Sequence, residues 1–156
     1  MNCVPGFAEC TLLWKVAAGL FLFWLTRAAL EDHRTGRVSN GIWLGAMLFW
    51  MPFALVASSD GFPLEPILFW MLQQILFSRF YGRADCHAFS CIGFYLWGMG
   101  LGLAAYLLYM LFTLLFMGAV QLLKGNVNRE GNLRTPIPFL PYILLGFCGI
   151  LVWIFR

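Results

Sequence analysis

Between Asp85 and Lys124 the chain carries no Asp, Glu, Lys or Arg. A helix rises about 1.5 Å per residue, so one helix of this length would far overrun the roughly 30 Å hydrocarbon core of a bilayer. The stretch must therefore turn, and Gly98-Met99-Gly100-Leu101-Gly102 is where a turn costs least. With the break placed there, the sequence reads as six apolar spans: residues 11–30, 41–57, 62–80, 88–97, 101–123 and 139–155. The fourth is short, which sets Asp85 close to the membrane boundary, an expensive place for a carboxylate.

The composition agrees with this reading. Of 156 residues, 62% are hydrophobic and 11% charged, with 16 Phe and 7 Trp, outside the usual range of soluble domains. The expected fold is an all-α polytopic membrane protein of about six transmembrane helices, with residues 1–156 forming a single transmembrane domain. The first apolar run follows Glu9 rather than a basic segment and is succeeded by further spans, so it reads as part of the mature chain and not as a signal peptide. Trp24, Trp43, Trp50, Trp70, Trp97 and Trp153 are expected at lipid-facing or interfacial positions.

The net charge of +3 comes from dispersed residues and forms no patch suited to nucleic acid. Topology accounts for it better. Arg27, Arg34, Arg37, Arg79, Arg83, Lys124, Arg129 and Arg134 lie beside the loops after spans one, three and five, leaving Lys15 and Arg156 on the other side. By the positive-inside rule both termini face outward, in an inner or cytoplasmic membrane, and Asp32 and Asp85 face the cytoplasm. Asp60 and Glu65 read as ordinary outer-loop charges. Cys3, Cys10, Cys86, Cys91 and Cys148 have no zinc-type spacing and read mainly as small apolar packing residues.

The stretch "ALEDHRTGRVSNG" sets Glu31, Asp32, His33, Arg34 and Arg37 between two apolar spans. A second polar point, Asp85-Cys86-His87, opens span four. Three readings stand. The charges can be solvated interfacial groups. They can form a metal site, although adjacent residues on a helix point about 100° apart, so Asp32 and His33 do not converge naturally on one ion. Or Asp32 and Asp85 can be an acid/base pair, since two close carboxyls cannot both ionise cheaply and one keeps a proton.

The segments Asp32-His33-Arg34 with Val38-Ser39-Asn40, Gly82-Arg83-Ala84-Asp85, and Pro136-Ile137-Pro138-Phe139-Leu140-Pro141-Tyr142 occur in this order along nearly the whole chain. In order and span count the chain resembles the type IV prepilin peptidases and the related archaeal preflagellin peptidases. The resemblance implies an intramembrane aspartic endopeptidase that removes the basic leader from pilin-like precursors at the cytoplasmic face. That family carries one aspartate in D-x-R-x-x-x-I-P-N and the other in G-x-G-D, which match Asp32 and Asp85 here. Arg34, Asn40, Gly82, His87 and Pro138 become supporting or substrate-binding candidates. No metal or cofactor is implied, and the partners are precursors with a basic leader and a hydrophobic helix, together with the bilayer.

The sequence departs from the pattern in places. Val38 and Ser39 replace isoleucine and proline, while Asn40 remains as a cap for span two. Ala84 replaces a glycine, and alanine takes positive φ less readily. His87 stands where many members carry lysine, and a histidine would hold a neighbouring carboxylate ionised only at lower pH. The cysteine-paired methyltransferase domain of larger members is absent, so cleavage without N-methylation is expected.

Several residues have a second reading. Arg34 and Arg37 fit positive-inside anchoring as well as a site role. Gln73 and Gln74 near the middle of span three call for an interior partner, most simply an interhelical hydrogen bond. Pro136, Pro138 and Pro141 suggest an extended segment beside the site or a simple span start. The alternative functions are a membrane transporter or assembly factor whose aspartates carry protons or bind a partner, and an inactive peptidase homologue.

Overall fold

The computed structural model describes residues 7–57, 63–80, 82–125 and 138–156, without the side chains at 7–11, 40 and 53–57. Expectations placed on Cys3, Asp60, Arg129, Arg134 and Pro136 lie outside the described residues, as do those on the side chains of Glu9, Cys10 and Asn40. The described chain is helical, with no strand among these residues: α1 (Phe7–Thr35), α2 (Asn40–Ala57), α3 (Leu64–Ile75), α4 (Arg83–Gly98), α5 (Leu103–Leu123) and α6 (Leu140–Phe155).

α4 is the axis of the bundle. It packs against α2, α3, α5 and α6, while α1 lies on α6 and α2. Every residue from Ala88 to Gly98 is buried, so the lack of charge there reflects enclosure on all sides. α4 ends in the glycine-rich stretch. Gly100 takes φ +78, a left-handed conformation that glycine adopts without a Cβ penalty. α5 then begins at Leu103, whose N–H donates to the Glu65 carboxylate at 2.7 Å. Glu65 is thus a cap for α5, not merely an outer-loop charge, because the first N–H groups of a helix have no partner of their own.

The core is aromatic. Phe21 of α1 meets Trp50 of α2 and Phe147 of α6 edge-on, each with ring centroids 5.0 Å apart, and stacks on Tyr95 of α4 at 6.3 Å. Such geometries suit the charge distribution of aromatic rings. They also correct the expected place of the tryptophans: Trp43, Trp50 and Trp97 are buried, whereas Trp70 and Trp153 are exposed. Gln73 is fully buried and its amide reaches the Met110 sulfur at 3.1 Å, an α3–α5 contact.

Among the described residues two helices, α1 and α5, are long and apolar enough to cross a membrane. The outward faces are apolar as well, including Leu108, Leu115, Leu122 and Trp153. α3 is shorter than its span suggested. It stops at Ile75 and passes into a 3₁₀ turn at Phe77–Arg79, so Gln73 and Gln74 fall in its last turn and not at mid-span.

Candidate active site

The C-terminal end of α1 is built by local chemistry. The apolar part of the helix ends at Leu30, and Gly36, at φ +63, closes the last turn by donating its N–H to the Asp32 carbonyl at 2.8 Å. The following loop is tied back twice. The Thr35 hydroxyl accepts the Arg37 N–H at 3.2 Å, and the Glu31 carboxylate accepts the Ser39 N–H at 3.1 Å. The Ser39 hydroxyl then accepts the Gly41 N–H at 3.3 Å. Ser39 is therefore the N-cap of α2, and Asn40, expected to cap, is its first helical residue. Serine supplies a cap where the family pattern has proline.

Asp32 projects from this last turn toward the start of α6. Its carboxylate accepts the Leu140 N–H at 3.3 Å, and the Phe139 N–H also favours its charged form. Pro141 falls in the first turn of α6, where a missing N–H costs nothing, so it does not interrupt the helix. Pro138 is half-buried just ahead of Leu140. Asp32 thus caps a helix far away in sequence, and the positive end of that helix faces it.

Asp85 is the third residue of α4. Its carboxylate reaches back to accept the Gly82 N–H at 3.1 Å, while the Gly82 carbonyl accepts the N–H groups of Asp85 and Cys86 at 3.1 and 3.2 Å. A Cβ on Gly82 would lie 3.1 Å from the Asp85 carboxylate oxygen. Glycine is needed here for that close approach and not for its backbone freedom, since Gly82 has φ −64. Ala84 lies inside α4, and no described residue other than glycine has positive φ. Its substitution for glycine therefore places no strain on the turn, contrary to the expectation from the family pattern.

Both aspartates lie beyond the apolar spans at one end of the bundle, and their environments differ. Asp85 is 8% exposed. Burial first, then the nearby charge of Asp32, push its carboxyl up to about 7, against the opposing pull of the Gly82 N–H. Asp32 is also raised by burial, but the N–H groups of Leu140 and Phe139 and the charge of His33 offset this. Both carboxyls therefore hold a proton more tightly than an ordinary aspartate, and the donors of α6 favour charge on Asp32.

The other candidates are arranged around rather than in this pair. Arg34 is exposed and about 200° round α1 from Asp32. His87 lies a similar angle round α4 from Asp85. Its ring stacks on Trp43 with centroids 6.5 Å apart and lies 3.5 Å from the Gln74 amide. Burial, followed by the charge of Arg83, lowers its pKa. What shifts Asp85 is its burial, the charge of Asp32 and the Gly82 N–H. Glu31 and Ser39 hold the loop between α1 and α2. A serine just before an apolar run is a readable cap signal, whereas the Glu31 contact has none. Among the described residues no three of His, Cys, Asp and Glu converge as a metal-ligand cluster. Cys86 and Cys91 are buried and unpaired by disulfides.

No protein-family model, curated protein or solved structure matches the chain.

Proposed function

We propose that the chain is a multi-pass intramembrane aspartic endopeptidase that cleaves the basic leader from type IV pilin-like precursors. What supports this reading is that Asp32 and Asp85, carried by different helices, lie near enough for the charge of Asp32 to act on Asp85, with different backbone donors beside each. That is the arrangement peptide hydrolysis requires of two carboxyls. In this mechanism the ionised partner, favoured at Asp32 by the Leu140 N–H, takes a proton from the attacking water. The protonated partner, favoured at Asp85, donates to the leaving amine. Water reaches the pair because it lies at the helix ends, while the aromatic core fixes its geometry.

The site faces the cytoplasm and both termini face outward in this proposal, on the strength of the positive-inside count. The resemblance supplies the substrate class: a basic leader followed by a hydrophobic helix. A carboxyl titrating near 7 also suits a proton carrier, and one experiment separates the two readings. Pilin-like precursors are co-expressed with wild type, Asp32→Asn and Asp85→Asn, and leader removal is read by gel and N-terminal mass. Peptidase action gives cleavage that both substitutions abolish. Cleavage that survives either one refutes the pair. Its absence with folded wild type, accompanied by proton flux in proteoliposomes that depends on Asp85, identifies a carrier.

A further inference from the structure

The back of α1 carries a feature that the catalytic pair does not use. An open depression of about 570 Å³ is lined by Phe23, Thr26, Arg27, Leu30, Glu31 and Arg34, with Thr35 at its end. At about 100° per residue, Arg27 and Arg34 lie within about 20° of one another and roughly 10 Å apart along the helix. Phe23 and Leu30 share their side, 69% and 52% exposed. This stripe is centred on the side of α1 opposite Asp32.

The acidic residue between the two arginines is held to the following loop rather than to either of them. Glu31 would ordinarily pair with Arg27 at i−4 or Arg34 at i+3. Its carboxylate is instead turned to the Ser39 N–H at 3.1 Å, holding the loop into α2. No ion pair to Arg27 or Arg34 is formed among the described residues. Two exposed cations therefore lie at the polar end of an apolar strip, where α1 passes from its hydrocarbon-like segment into its polar last turn. An amphiphile with an anionic head and an apolar tail matches both halves. An inorganic anion would leave Phe23 and Leu30 uncovered, and a zwitterionic lipid would bring a cation toward the arginines.

We infer that the Arg27–Arg34 face of α1 binds an anionic phospholipid, its phosphate between the two guanidinium groups and an acyl chain along Leu30 and Phe23. Arginine's forked donors suit phosphate, and juxtamembrane cations favour anionic lipid. The inference rests on the bilayer reading of the chain and not on the peptidase reading, so cleavage can fail while lipid binding holds.

The test is native mass spectrometry of the full-length protein in detergent, titrated with phosphatidylglycerol or phosphatidylcholine. Variants are Arg27→Gln, Arg34→Gln and the double substitution, with Arg37→Gln and Arg79→Gln as equal-charge controls. Wild type is expected to retain one phosphatidylglycerol with at least a ten-fold preference over phosphatidylcholine. The double variant should lose about ten-fold in that retention, each single variant several-fold, and the controls little. Equal retention of the two lipids overturns the inference. So does an equal loss in the controls, which marks a diffuse surface potential, or displacement of the lipid by inorganic phosphate. Melting curves without lipid establish that the variants are folded; should the double variant fail to fold, the single variants decide.

Discussion

Replacing Asp85 by Asn should stabilise the protein increasingly as pH rises. The carboxyl moves from an ordinary value of 3.8 up to about 7 in the folded chain, so the folded state holds its proton more tightly than the unfolded one. The sign follows from linkage. Wild-type stability is unpenalised below about pH 4, falls as pH rises between the two values, and carries the full penalty above about 7. A displacement of about 3 units at about 1.4 kcal/mol each gives about 4 kcal/mol at most. Asparagine keeps an oxygen to accept the Gly82 N–H but has no charge to bury. Thermal unfolding in detergent, followed by tryptophan fluorescence from pH 4.5 to 8, should show Asp85→Asn gaining on wild type by on the order of 10 °C across the range. A gap that stays constant with pH would refute the claim that burial and Asp32 together hold a proton on this carboxyl.

Four further substitutions probe the surroundings of the pair. Gly82→Ala sets a methyl 3.1 Å from the Asp85 oxygen and should slow precursor cleavage about ten-fold by shifting the acid. Ala84→Gly, which restores the family glycine, should bring no gain in rate and cost about 1 kcal/mol in thermal stability, because the position is helical. Ser39→Ala should lower stability by about 1 kcal/mol through loss of the α2 cap, measured by the same melting curves. His87→Gln should leave the pH profile of cleavage in place, since the ring packs on Trp43 and Gln74; a displaced acidic limb would show that His87 acts on the pair after all.

The polar punctuation of this chain was readable, and the orientation of its apolar faces was not. The glycines at 98–102 mark the break between α4 and α5, and the aspartates at 32 and 85 mark the helix ends that converge. Span three looked continuous through Phe80 because no charge or proline interrupts it between Pro66 and Arg79, yet the helix gives way at Leu76. Sequence also placed Trp43 and Trp50 toward lipid. A helix that is apolar all round carries no periodic signal to separate its lipid side from its protein side, and the ring contacts that bury Trp50 are supplied by Phe21 and Tyr95 from other helices.

Two carboxylates in this fold do the same structural task with different chemical consequences. Glu65 accepts the first free N–H of α5, and Asp32 accepts the first free N–H of α6. In both, a distant side chain satisfies a donor that the helix cannot satisfy itself. Glu65 is exposed, so its cap ends at a solvated charge. Asp32 has the buried Asp85 nearby, whose proton its charge helps to retain. The cap is therefore also an electrostatic lever: the α6 donors that favour charge on Asp32 oppose a second charge on Asp85. This coupling links the last helix to the proton affinity of a carboxyl on the fourth.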